Sequence, residues 1–279
     1  MALLWVIFPS GGLVRLTGSG LGCSDWPLCD AGGIVPASNQ HAWIEFSNRM
    51  FSGVVIVIVA ITAIVVFKAE GTTRAAKVGA LVAAIATIGQ IPLGAVTVLF
   101  DLHPLLVASH FLLSLIALAG GVVAFLQASD VVQGAGRAFA KAGTWLAALW
   151  LAALGTTVVT GVLVTSAGPH SGDPKVIKRF GMLDHAAYVH VRAVIALLIV
   201  AIIVGYVVRG RRTDRGLMVP ALWFIPVFIA QVVIGEVQWR NQLPWEVVLA
   251  HVSVAAIVWG LGVAIAWRLA RPLTGARAG

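Results

Sequence analysis

Eight apolar runs separated by short polar breaks constrain this chain more than any other feature of its sequence. They fall at residues 2–16, 44–67, 78–99, 105–127, 143–166, 185–208, 217–237 and 246–269. A helix needs about 20 predominantly apolar residues to cross the hydrocarbon core of a bilayer, and every run but the first reaches that length. Soluble domains carry about 25% charged residues, whereas this chain of 279 residues is 11% charged and 59% hydrophobic. That balance excludes an ordinary soluble protein and a disordered chain, and the runs leave no length for a sizeable soluble domain. The expected fold class is an all-α integral membrane protein with eight transmembrane helices.

The charges sort by side. The breaks after the even-numbered runs, with the tail, hold Lys68, Arg74, Lys77, Arg137, Lys141, Arg209, Arg211, Arg212, Arg215, Arg268, Arg271 and Arg277, which is 12 of the 19 Lys and Arg. Only Glu70, Asp130 and Asp214 accompany them. The other side carries the remaining bases and most of the acids. The positive-inside bias then makes the even breaks, the N-terminus and the C-terminus cytoplasmic. The net charge of +8 is explained by topology, with membrane lipids as its partner and no nucleic acid required. Cys23 and Cys29 fall on the outer side, where a disulfide persists. The first run is short, because residues 2–16 make about 22 Å of helix against a core about 30 Å thick. It lacks the charged n-region and cleavage site of a signal peptide. The expectation is a first helix truncated at its N-terminal end.

An internal repeat organises the rest. Gln90-Ile-Pro-Leu-Gly94-Ala-Val96 returns as Gln231-Val-Val-Ile-Gly235-Glu-Val237, and the same offset of 141 carries Leu102 to Leu243, Val107 to Val248 and His110 to His251. The first and fifth runs also end alike, in Thr17-Gly-Ser-Gly20 and Thr165-Ser-Ala-Gly168. Each half has an even number of runs, so the repeat is parallel. Two four-helix bundles are expected, residues 1–127 and 143–270, with a cytoplasmic linker at 128–142 and a tail at 271–279.

Of seven histidines, His41, His103, His170 and His185 read as surface polar residues in or beside outer loops. His110, His190 and His251 instead lie one and a half to two turns into runs four, six and eight, at a depth where ionisable residues are costly and functional. His190 and His251 are 61 residues apart on even helices of one half, which suits axial ligation of a haem inside a four-helix bundle. The matching first-half pair is His110 and Asn48, 62 residues apart. Three satisfied interhelical histidines are the plain alternative. Glu45 shares a helix face with Asn48, and span six has no carboxylate there. One half therefore resembles an electron-transfer cofactor site, and the other, with one ligand and an acid, a substrate site. Glu45 could also simply pair with Arg49. Arg49 and Arg192 are candidates for haem propionates or for arginines that snorkel to the interface. Cys23 and Cys29 flank a Trp-Pro turn, as a short disulfide loop or as a dithiol that exchanges with a partner.

Taken together, Val14-Arg-Leu-Thr-Gly-Ser-Gly20-Leu-Gly-Cys23, Asp25-Trp-Pro-Leu-Cys29, Glu45-Phe-Ser-Asn48-Arg49, the Gln90/Gly94 and His110 block, Gly168-Pro-His-Ser-Gly-Asp173 and the Gln231/Gly235 and His251 block resemble the haem A synthase family over essentially the whole chain. The resemblance implies an eight-helix, two-half enzyme of the bacterial plasma membrane. It would oxidise the C8 methyl of haem O to the formyl of haem A for terminal oxidase assembly. By the same resemblance His190 and His251 ligate a cofactor haem b through its iron, His110 faces the substrate haem, Glu45 is the essential carboxylate, and Cys23 with Cys29 is the outer-loop pair. Haem O synthase, terminal oxidase assembly proteins and a second copy of the chain are the partners it suggests; no feature names the electron acceptor. One departure stands out. The family pattern Glu-x-x-His-Arg reads here with Asn48, which is no ordinary axial ligand and leaves an open iron position in the first half. The competing readings are a dihaem b-type cytochrome, which would need a second complete histidine pair, and a membrane haem carrier or insertion factor, which would need no carboxylate.

Overall fold

The computed structural model describes residues 1–23, 26, 29, 35–36, 39–133, 141–211 and 214–270. The linker positions 134–140, the tail 271–279 and the bases Arg137, Arg212, Arg271 and Arg277 lie outside the described residues. So do most of the Asp25-Trp-Pro-Leu positions before Cys29.

The described residues form eight helices, and no strand occurs among them: α1 Ala2–Leu16, α2 Gln40–Lys68, α3 Arg74–Leu99, α4 Pro104–Gln133, α5 Lys141–Ala167, α6 Leu183–Gly210, α7 Arg215–Arg240 and α8 Trp245–Leu269. Helices α2 to α8 are long and apolar enough to cross a membrane, while α1 is shorter. The protein is therefore a multi-pass membrane protein. The helices run a few residues beyond the apolar runs because polar side chains cap them. Asn39 accepts from the His41 N–H, Thr73 from the Ala76 N–H and Asp214 from the Leu217 N–H. Such caps contribute about 1 kcal/mol each.

Packing is by neighbours in a ring. Helix α1 touches α2, α2 touches α3, α3 touches α4, and α4 returns to α1; the helices α5 to α8 close in the same order. Across the two rings, α8 packs on α1 and α4, and α4 on α5. Glycines let the backbones approach, as small residues do between helices in lipid. A Cβ at Gly120 would fall 2.6 Å from the Gly79 carbonyl oxygen, and one at Gly260 would fall 2.4 Å from the Trp5 ring. The indole N–H groups of Trp150 and Trp259 donate to the carbonyls of Gly262 and Leu115, tying α8 to α5 and to α4.

The turns after α3 and α7 are built alike. Asp101 and Leu102 have φ of 49° and 52°, and Gln242 and Leu243, at the repeat offset, have 62° and 60°. Left-handed backbone costs a residue with a side chain about 1–2 kcal/mol. Both turns repay it by the same helix-closing bonds, Leu102 N–H to Thr97 O and Leu243 N–H to Gln238 O. The outer loops meet at this end of the bundle. The Gly20 N–H donates to Gly172 O, His170 Nε2 bonds Leu243 O, and the Arg15 guanidinium donates to the carbonyls of Thr165 and His170. The early turns of α2, α4, α6 and α8 are therefore gathered beneath one surface.

Replacing Gly120 with Val should force α3 and α4 apart. The expected cost is about 1–3 kcal/mol, typical of overpacking. A thermal-unfolding scan in detergent should show a lower midpoint, while Gly53→Val, where a Cβ meets nothing within 4 Å, should leave it unchanged.

Candidate functional site

Glu45 is 4% exposed, near the start of α2. An ionised side chain so placed needs compensation on every side, and it has it. Its Oε2 accepts the Cys23 N–H at 2.8 Å and its Oε1 pairs with Arg49 Nη2 one turn later, while the Gly22 N–H turns back to the Ser19 carbonyl. The outer loop reaches this position because Gly22 has no side chain. A Cβ there would fall 2.5 Å from the backbone carbonyl of His41. Behind it, Cys23 and Cys29 form a disulfide and are 2% and 1% exposed, packed with Ala42 of α2. His41 closes the rim through Ser19 Oγ at 2.9 Å.

Asn48 lies one turn further in. Its Oδ1 accepts from Ser10 Oγ on α1. Val55, two turns beyond on the same face, is buried in the cluster formed by α1, α3 and α4, so this face of α2 looks into the first ring. His110 stands on α4, and no Cα of α2 comes within 8 Å of one of α4. The two helices thus oppose each other diagonally across the ring. His110 rests against Gly94 of α3, where a Cβ would lie 3.5 Å from Cε1, and its buried Nδ1 has no hydrogen-bond partner among the described residues.

The second ring repeats the arrangement with two imidazoles. His190 on α6 bonds Thr160 Oγ1 on α5 at 3.1 Å and rests on Gly161, 3.0 Å from a Cβ there. His251 on α8 lies 3.0 Å from Gln231 Nε2 and rests on Gly235 of α7, again 3.0 Å from a Cβ. Helices α6 and α8 also lack any Cα pair within 8 Å. The two imidazoles are near enough to interact electrostatically. Each of the three histidines thus stands over a glycine of the preceding helix, and His190 and His251 stand on diagonal helices of one ring.

The structure brings Glu45, Arg49, Cys23 and Cys29 together, and His190 with His251. Arg49 is engaged by Glu45. Arg192 is exposed and lies over the Tyr188 ring, 3.0 Å from its centroid, so it faces away from His190. His170, read as a surface residue, is half-buried and ties two outer loops together. Ser10, Thr160, Gly161 and Arg15 carry contacts that their sequence positions do not announce. Gly94 and Gly235 did carry a signal, since they recur with the histidines at one offset.

Residues 1–263 match the model of a single family, COX15-CtaA, described as cytochrome oxidase assembly protein. The chain belongs to that family. Similar curated relatives of this chain include proteins named heme A synthase. The one from Bacillus licheniformis is 42% identical over 120 residues, covering 43% of this chain and 39% of the relative. That from Bacillus pumilus is 37% identical over 119 residues, 42% and 38% of the two chains, and that from Bacillus mycoides 34% over 122 residues, 43% and 39%. These matches span about two-fifths of the length of the relatives.

Gly22→Ala should lift the outer loop off α2 and expose the disulfide. Reduction by dithiothreitol followed by maleimide labelling should be several-fold faster than in the wild type. An unchanged rate would mean that the loop docks without this close approach.

Proposed function

We propose that this chain is a haem A synthase, an oxidoreductase that converts the C8 methyl group of haem O to a formyl group, supplying haem A for terminal oxidase assembly. The observation that carries the reading is the asymmetry between the two rings. One holds His190 and His251, with no carboxylate beside them among the described residues. The other holds His110, Asn48 and the buried Glu45. The names of the Bacillus relatives agree with this reading. Two parallel four-helix halves, 1–127 and 143–270, are supported by the matching turns after α3 and α7 and by the matching order of helix contacts. We read eight spans from the eight apolar runs, cytoplasmic termini from the distribution of Lys and Arg, and a bacterial plasma membrane from the family resemblance.

The residues fit the groups they would hold. Imidazole is the common axial ligand of haem iron. The glycines beneath the rings and the Nδ1 atoms of His110 and His251, buried without a hydrogen-bond partner among the described residues, suit planar guests between diagonal helices. His190 and His251 would hold a haem b, which carries electrons away from the reaction. Substrate haem O would be held from the His110 side, with Asn48 leaving the opposite face of its iron open. Glu45 would lie beside the reacting methyl group and orient water or take a proton there. Each of the two oxidations, methyl to alcohol and alcohol to hydrated aldehyde, would take oxygen from water and give up two protons and two electrons, the electrons leaving through the haem b to an external acceptor. Loss of water from that hydrate gives the formyl group. Arg49 and the Cys23 N–H hold the carboxylate in place for this step.

Pyridine haemochrome analysis of haems extracted from the purified protein tests the reading. Haem B together with haem O or A is expected; haem B alone would favour an electron-transfer cytochrome. In Glu45→Ala, haem O should accumulate while the second-ring haem is retained, and a normal yield of haem A would remove Glu45 from the chemistry. Replacing His190 or His251 with Ala should abolish the low-spin haem absorbance, and its persistence at full occupancy would refute the ligand assignment.

A further inference from the structure

Gln90 and Gln231 occupy the same place in the repeat, on the helices that pack against the histidine-bearing α4 and α8. Neither side-chain carbonyl is satisfied. Oε1 of both glutamines and Nδ1 of both His110 and His251 are buried without a hydrogen-bond partner among the described residues. An unpaired buried polar atom costs about 1–3 kcal/mol, so the same mismatch appearing twice calls for a physical reason.

The amide nitrogens separate the two halves. Gln90 Nε2 donates to Ser114 Oγ at 2.7 Å and to the His110 backbone carbonyl at 3.1 Å. Gln231 Nε2 lies instead 3.0 Å from the ring atom Nε2 of His251. At the repeat offset, the position of Ser114 is taken by Ala255. No hydroxyl there competes for the Gln231 amide, which reaches the imidazole.

We propose that Gln231 is a positioning residue that orients His251 and sets how strongly its imidazole donates to haem iron, and that the exchange of Ser114 for Ala255 reserves this role for the second half. The proposal rests on the haem reading above. An imidazole that binds iron through one nitrogen carries a proton on the other. That N–H donates to a carboxylate or carbonyl, which fixes the ring and raises its donor strength. As the contact stands, the Gln231 amide N–H donates to ring Nε2; when iron takes the other nitrogen and Nε2 carries the proton, a half-turn of the amide brings the unpaired Oε1 round to accept from it. In the first half, Ser114 holds the Gln90 amide on the helix backbone and off the imidazole. His110 is left a weaker donor, as befits a haem that must be taken up and released.

The test is a redox titration of the low-spin haem in the purified, haem-loaded full chain, followed by visible absorbance and by electron paramagnetic resonance. Gln231→Leu removes the acceptor and should raise the midpoint potential. Gln231→Glu supplies a stronger acceptor and should lower it. Ala255→Ser changes neither the histidine nor the glutamine, yet offers the amide a hydroxyl; it should shift the potential in the same direction as Gln231→Leu. Loss of haem from Gln231→Leu alone, with the other two shifts as stated, also supports the role. Unchanged potentials, shifts of one sign in Gln231→Leu and Gln231→Glu, or haem loss from all three variants would overturn it. A wild-type protein with no low-spin haem would refute the haem reading itself, which keeps the two failures distinct.

Discussion

Hydrocarbon supplies no hydrogen bonds, so a polar group carried into these helices must find its partner on its own helix or on a neighbouring one. Most of the structure obeys that constraint economically. Thr62, Thr87, Ser109 and Ser253 donate back to carbonyls one turn earlier on their own helices. Two tryptophans use theirs to join α8 to α5 and α4. Against that background, Gln90, His110, Gln231 and His251 stand out, because the buried atoms they leave without a partner among the described residues fall in pairs at the repeat offset, whereas that of Gln238 does not. They lie at repeat-related positions beneath the outer loops, where the proposed haems would bind.

The same constraint explains the outer loop. A buried carboxylate such as Glu45 is tolerable only if its charge is answered on all sides. Arg49 answers it from within α2, and Cys23 answers it with a backbone N–H brought across the helix start. The disulfide and the missing side chain of Gly22 are therefore part of how the carboxylate is held. Beneath one surface the two rings use a common plan and diverge by a few side chains: Asn48 against His190, and Ser114 against Ala255. Those exchanges separate a ring with one imidazole and an acid from a ring with two imidazoles.

Much of this was legible in advance. The helix positions followed from apolar runs, and the structure moved their ends by only a few residues, where Thr73 and Asp214 cap ahead of the first apolar residue and where α4 continues to Gln133. The offset of 141 picked out His110 and His251 along with the glycines beneath their rings. Arg192 could not be placed the same way. Its distance from His190 along the chain allowed it either face of α6, and its stacking on Tyr188 takes it outward. Ser10 and Thr160 were invisible because their partners lie on other helices, and a hydroxyl in an apolar run usually bonds its own backbone.

By itself the sequence determined the membrane character, the helix positions, the repeat and the set of buried ionisable residues. These depend on composition and spacing along one chain, which hydrocarbon reads directly. Tertiary structure decided which atoms of those residues are satisfied: that Glu45 is held by the loop of Cys23, that Ser10 meets Asn48, and that Gln231 reaches an imidazole while Gln90 does not. Hydrogen bonds between helices depend on a few ångströms of approach and rotation, and those are set only when the rings close.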